Sequence, residues 1–526
     1  MSKYIVKAKE YKVKDGDTLT SIAEANGITW QQLAKFNWGT TNLAKINKSL
    51  RSIVGCLKKD EKDKDYILSS ADDPGIIYIP QDLILNTLAS NETHKLTLKI
   101  PVKKKFTPAN CFVNFRPFNT WNGEYGFDWM REGDFPIDIG GIKINNTLKF
   151  EDVIGNHKIT TKAGKLINQP DGNTYKGDFY KDEKDYKKLQ KEYKIKDIDF
   201  TKDDKGKRLK KYTSYLSIYI DDVDYKCPQE VVIQADIHVD SPPEELRFIY
   251  DKEVFEITPS VLPKSTQKID VKIKCLKALK KDEEINVISI FRDENSIGHE
   301  IEVGHLIVMQ NDKAKRKRVK TLLIAITSPA LSPLGQRSGE FETNIPFIKR
   351  ILRQALIDPI IEKATLDLTT DAVISQEFLD NYKNGINLFD KGAINKKYIH
   401  AYCFEQFMKS EKNKHKYDDY LIAFYMGEAH PNLYGYSLGH QVIMFSNALE
   451  STGVHEWLHS LSLPHTFTSS GKFTYKGTTT ENIMDYTHHQ YNPGDPATFH
   501  FKKSRISLYR WQWQQANKHS LNKIEK

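Results

Sequence analysis

The stretch 454-VHEWLHSLSLPH-465 decides how the chain is read. His455 and His459 stand four apart, Glu456 adjoins the first, and His465 follows six residues after the second. On a helix, four residues advance about 6 Å and turn about 40° beyond a full circle, so both imidazoles leave one face and can reach a single metal ion. Glu456 flanks that face. Two neutral histidines preserve the Lewis acidity of a zinc ion, and an open position lets the pKa of its water fall until a carboxylate can take the proton. The spacing H-E-x-x-H follows from that geometry. It leaves the third ligand unnamed. His465, past a helix end announced by Pro464, is the expected one, and Glu481 is its competitor. The bland alternative is that these histidines pack a core or sit exposed.

Extended to His465, the pattern H-E-x-x-H-x-x-x-x-x-H resembles the metzincin clan of zinc endopeptidases. The clan's second mark, a methionine turn followed by tyrosine, is matched by Met484 and Tyr486 in 482-NIMDY-486. The resemblance covers residues 313–526 and implies a metalloendopeptidase acting on a peptide or protein substrate. It implies one catalytic Zn2+ on His455, His459 and His465, with Glu456 as general base. Tyr486 would bind zinc or stabilise an oxyanion, and Met484 would form a hydrophobic floor. One position departs from the clan: Ser462 stands where a glycine normally turns the backbone with positive φ. Serine takes that conformation at a cost of about 1 kcal/mol.

Around this segment the pattern is α/β. The run 321-TLLIAIT-327 is apolar enough for a strand buried on both faces. Ile345, Ile348, Ile351, Leu352, Ala355 and Leu356 recur at helical spacing. Strands are expected at 366-LDLTTD-371, 398-YIHAYCF-404 and 420-YLIAFYM-426, and helical periodicity resumes near Val442. By the resemblance, the strand near 420–431 is the edge on which an extended peptide pairs. His430, His440, His488 and His489 read as packing or surface residues.

The N-terminal stretch 11-YKVKDGDTLTSIAEANGITWQQLAKFN-37 reads as a strand, an Asp-Gly-Asp turn and two helices. Thr18 or Asp17 caps the first helix and Thr29 the second. This resembles a LysM module of βααβ form, returning through 76-IIYIP-80, with an insertion at 39–74 that holds an extra helix from Leu43 to Val54. The resemblance implies binding of peptidoglycan or another N-acetylglucosamine polymer in a groove lined by Gly16, Asp17 and Thr18. The alternative is that Asp17 and Thr18 only cap a helix and the module docks on protein.

Between these ends, residues 96–212 form an irregular β-rich region of unassigned role. Its Trp121, Tyr125, Phe127 and Trp129 read as packing rather than sugar-stacking residues. From 213 to 312 the period is two, as in 231-VVIQADIHV-239, which predicts an immunoglobulin-like sandwich. The expected fold class is therefore multidomain α+β: LysM module at 1–95, all-β sandwich at 213–312, metzincin-like α/β domain at 313–526.

Composition narrows the partners. The 526 residues carry 78 basic and 69 acidic side chains, a net charge of +9. The densest basic run, 313-KAKRKRVK-320, reads as a solvated linker, which argues against nucleic acid as the main partner. Five scattered cysteines without C-x-x-C spacing argue against a disulfide framework or a cysteine zinc site. No apolar window is long enough for a membrane span. The start lacks an apolar signal region, so the expectation is synthesis in the cytoplasm and, for an external target, export by a non-classical or contractile injection route. That combination fits either a bacterial cell-wall peptide hydrolase or an effector that cuts proteins through a secretion machine. The rival from another class is a non-catalytic glycan- or protein-binding structural component.

Overall fold

The structure is a computed structural model that describes residues 5–82, 110–136, 147–168, 177–220, 230–292, 298–331, 335–487 and 505–524, apart from 61, 63, 195, 203–207, 411 and 414. Cys227, His488 and His489 lie outside the described residues.

At the N-terminus the strand Ile5–Lys12 pairs antiparallel with Ile76–Asp82. Between them stand the helices Leu19–Ala25 and Trp30–Trp38, started by Thr18 and Thr29 through capping boxes. The insertion supplies the helix Leu43–Ser49 and a π-turn, Leu50–Val54. Ile46, Leu50 and Val54 join Val13, Ile22, Leu33 and Ile77 in one core, so the insertion thickens the module instead of looping away. The module rests on the neighbouring β-layer. Arg247 donates to the carbonyls of Ser52 and Ile53, Ser52 bonds Glu300, and the Arg292 guanidinium lies 4.0 Å from the Tyr78 ring centre.

The middle of the chain builds two sheets over one apolar core. One runs in the order 245–249, 283–292, 298–308, 214–217, 126–128; the other runs 255–258, 267–275, 230–241, 110–117. This corrects the boundary expected at 213. Asn110–Pro117 pairs with Glu230–Ser241 and Gly126–Asp128 with Ser214–Ser217, so part of the irregular region belongs to the sandwich. Trp121, Tyr125, Phe127 and Trp129 are core residues there. Another part of that region, with Phe150, Val153, Ile154, Leu189 and Tyr193, packs into the C-terminal core. Sequence reading misses both because their packing partners lie far along the chain.

The basic run at 313–320 is likewise no linker. Arg316 is fully buried and donates to the Ile220 carbonyl, and the strand Lys317–Ser328 begins one residue later. That strand is the spine of a seven-stranded sheet, parallel to Ile357–Asp367 and Leu421–Met426, with Gln441–Met444 parallel to the latter. Its side chains alternate between two cores: Val319 and Leu323 on one face, Leu322, Ile324 and Ile326 on the other. The helices Ile345–Gln354 and Glu450–Ser460 cover the first face, and Ala372–Tyr382 and Ile399–Met408 the second.

Three further expectations shift. Residues 399–404 are helical, with Tyr398 as the extended cap, because Ile399, Tyr402, Cys403 and Phe407 bury at helical spacing and override their strand propensity. Gln441–Met444 is a strand, and the helix begins only at Glu450. Leu421–Met426 is central; the edge strand is Gly435–Leu438, antiparallel to Gln441–Met444. No helix among the described residues is long and apolar enough to cross a membrane.

Candidate metal centre

The helix Glu450–Ser460 buries Val454, Trp457 and Leu458 against the sheet, alongside Tyr425 and Met444. His455 and His459 leave it on the side that lines a cleft of about 660 Å³. The helix ends at Ser460 with Leu461 as its cap, and Ser462 follows with φ of +66°. This is the left-handed conformation anticipated at that position, taken here by serine. It turns the chain back, with Ser462 N–H donating to the His459 carbonyl at 2.8 Å, so that His465 returns to the helix.

The three Nε2 atoms form a nearly equilateral triangle. His459 lies 3.1 Å from His455 and 3.0 Å from His465, and His455 lies 3.2 Å from His465. The outer nitrogens fix the protons. His455 Nδ1 donates to the Ile483 carbonyl and His459 Nδ1 to the Leu463 carbonyl, each at 2.8 Å. A carbonyl can only accept, so both Nδ1 atoms carry hydrogen and both Nε2 lone pairs face inward. Burial keeps all three rings neutral. It pushes His455 well below its usual pKa, His459 down to about 4 and His465 to about 2, with neighbouring His459 and Arg505 adding to the shift in His465.

The lone pairs of His455 and His459 converge with His465 Nε2 on one point, an arrangement that a cation among them would satisfy. Donors on a tetrahedral zinc ion stand about 3.3 Å apart, given bonds of about 2.05 Å, so the triangle fits that ion. Among the described residues these three form the only group of three or more metal-ligating side chains. Glu481, the competitor, is excluded: its buried carboxylate accepts from Arg131 and Ser507.

Glu456 also lines the cleft. Burial pushes its carboxyl up to about 7, against opposing pulls from the Arg505 guanidinium and the Ser437 hydroxyl. Tyr486 stands with its ring centre 4.6 Å from His465 and 5.6 Å from His455. Met484 is fully buried in the core shared with Leu458 and Leu461.

Arg505 is a cleft residue that spacing could not reveal. It is buried, lines the cleft, and donates to the carbonyls of Ile483 at 3.3 Å and Asp485 at 3.0 Å and to Ser451 Oγ at 2.8 Å. The edge strand Gly435–Leu438 forms another wall and is similarly silent in the sequence.

The N-terminal candidates are arranged otherwise. Thr18 accepts from Ser21 N–H as a helix cap, and Asp17 accepts from Tyr11 Oη at 3.0 Å and Lys14 N–H at 2.7 Å. Gly16 is exposed at the turn, with φ of +85°. Residues 11–48 match the LysM domain family. No curated protein matches the chain.

Proposed function

We propose that the protein is a zinc-dependent endopeptidase of the metzincin type, with a LysM domain that directs it to a glycan such as peptidoglycan. The observation that carries this reading is the triangle of inward-facing Nε2 atoms beside a buried carboxylate in an open cleft. A zinc ion held by His455, His459 and His465 supplies Lewis acidity and brings the pKa of water toward neutrality. Glu456, with a proton affinity near neutral, is suited to take a proton from that water and return it to the leaving amine. Tyr486, whose ring packs beside His465, would support the developing oxyanion through its hydroxyl. Among the described residues the strand Gly435–Leu438 has a sheet partner on one side only and lines the cleft, so an extended peptide would add to the sheet there.

The LysM match suggests glycan binding, which would bring the cleft to the peptide bridges of peptidoglycan as one candidate substrate beside free proteins. Glu456→Gln is the test. Zinc content should stay at about one per chain, since Glu456 is no ligand, while hydrolysis of purified sacculi falls to background. A variant that still cleaves removes Glu456 from the mechanism. Cleavage of casein with no release from sacculi reassigns the substrate to proteins.

A further inference from the structure

The turn that anchors His455 is held from outside the C-terminal region. His455 Nδ1 bonds the Ile483 carbonyl, and Ile483 lies in a turn that opens at Glu481. The Glu481 carboxylate receives Arg131 Nε at 3.1 Å, with Arg131 Nη2 closer still, and Ser507 Oγ at 3.1 Å. Arg131 reaches across 350 residues of sequence to make these bonds.

Arg131 is itself over-determined. Its Nη1 donates to Asp128 and to the Trp129 carbonyl, and its guanidinium lies 3.6 Å from the Trp129 ring centre. Tyr193 Oη and Arg510 N–H complete the Asp128 carboxylate at 3.1 Å and 2.8 Å. All three charged members, Asp128, Arg131 and Glu481, are at most 3 % exposed. A lone Glu481 in that setting would be an unpaired buried charge beside the turn, which cores do not tolerate.

We infer that Arg131 is a positioning residue for the metal centre: by pairing Glu481 it fixes the turn whose Ile483 carbonyl orients the His455 ring. The inference rests on the metal reading proposed above. It makes the segment 128–131, which leads from the sandwich strand Gly126–Asp128 into the C-terminal core at Met130, part of the outer support of the site. Ligand-orienting partners of this kind set metal affinity without touching the ion.

The test uses the full chain with zinc and, separately, Co2+ as probe. Arg131→Met should weaken zinc binding by about ten- to a hundredfold in a chelator competition. The visible absorption of the Co2+ form should change in shape, which a general loss of stability would not cause. Arg131→Lys, which keeps the charge but not the fork, should fall between. Melting of the metal-free proteins separates affinity from folding. Zinc affinity within about twofold of the parent, with an unchanged Co2+ spectrum, overturns the inference, because outer-support losses are larger than that. A weakening that merely tracks the unfolded fraction overturns it too. If neither Arg131 variant folds, Glu481→Gln, which keeps the shape and removes the charge, takes their place under the same criteria. A parent protein that takes up neither ion sinks the metal reading itself, a separate outcome.

Discussion

Two helices in this chain begin their work from polar residues, and they do opposite things with them. At the LysM turn, Thr18 spends its oxygen on Ser21 N–H and Asp17 spends its carboxylate on Tyr11 and Lys14. Every such bond stays within seven residues, so these side chains build the turn they sit on. On the helix Glu450–Ser460 the histidines send only their outer nitrogens to carbonyls, leaving the inner ones aimed at a common point in a cleft. Polar residues at a helix mark function when their bonds to the fold leave a second, convergent set of donors unspent.

The largest effect separating the two regions should come from His459→Ala. Removing one corner of the triangle leaves two imidazoles, too few for a catalytic zinc site, and stoichiometric zinc should disappear after gel filtration. Metal analysis reads this directly. Retention of one zinc per chain would mean that the ion sits elsewhere and would dissolve the contrast.

Much of the three-histidine cluster was legible beforehand, because a helix of period 3.6 turns sequence spacing into a face. The positive φ at Ser462 was expected from the family resemblance, whose glycine stands at that position, and serine takes it here. What stayed hidden depends on contacts between distant residues. Nothing near Arg131 in the sequence points to Glu481, and nothing near Arg505 points to Ile483. The edge strand is four residues long, too short to display a period, and Tyr, Ile and Phe disguised the helix Ile399–Met408 as a strand. In the N-terminal module the stretch from Leu43 to Val54 read as an inserted helix, but its sequence did not show that Ile46, Leu50 and Val54 would join the module's core.

A smaller effect is expected from Thr18→Ala, which deletes the cap while leaving the turn. It should cost about 1 kcal/mol in a chemical denaturation of the N-terminal module, with zinc content unchanged. If instead glycan retention on sacculi is lost while stability holds, Thr18 serves a ligand and the local-use account of this turn fails.

The finest distinction lies at Asp15, beside Gly16. Its carboxylate accepts from Ser70 Oγ at 2.8 Å, Ser70 N–H at 3.1 Å and Ser69 Oγ at 2.9 Å, all from the insertion. The Ser70 bonds lead in pulling its pKa from the ordinary 3.8 to about 2. A carboxylate depressed by folding contributes stability that is present above its unfolded pKa and lost as pH falls through the folded one. The clasp between insertion and turn should therefore hold at neutral pH and open between about pH 4 and 2, in an NMR titration that follows Asp15 and the Ser70 amide together. Ser70→Ala should lift the Asp15 midpoint back toward its ordinary value. An Asp15 that titrates normally in the parent chain would detach the insertion from the turn, leaving Gly16, Asp17 and Thr18 flanked by open surface and restoring them as a glycan groove.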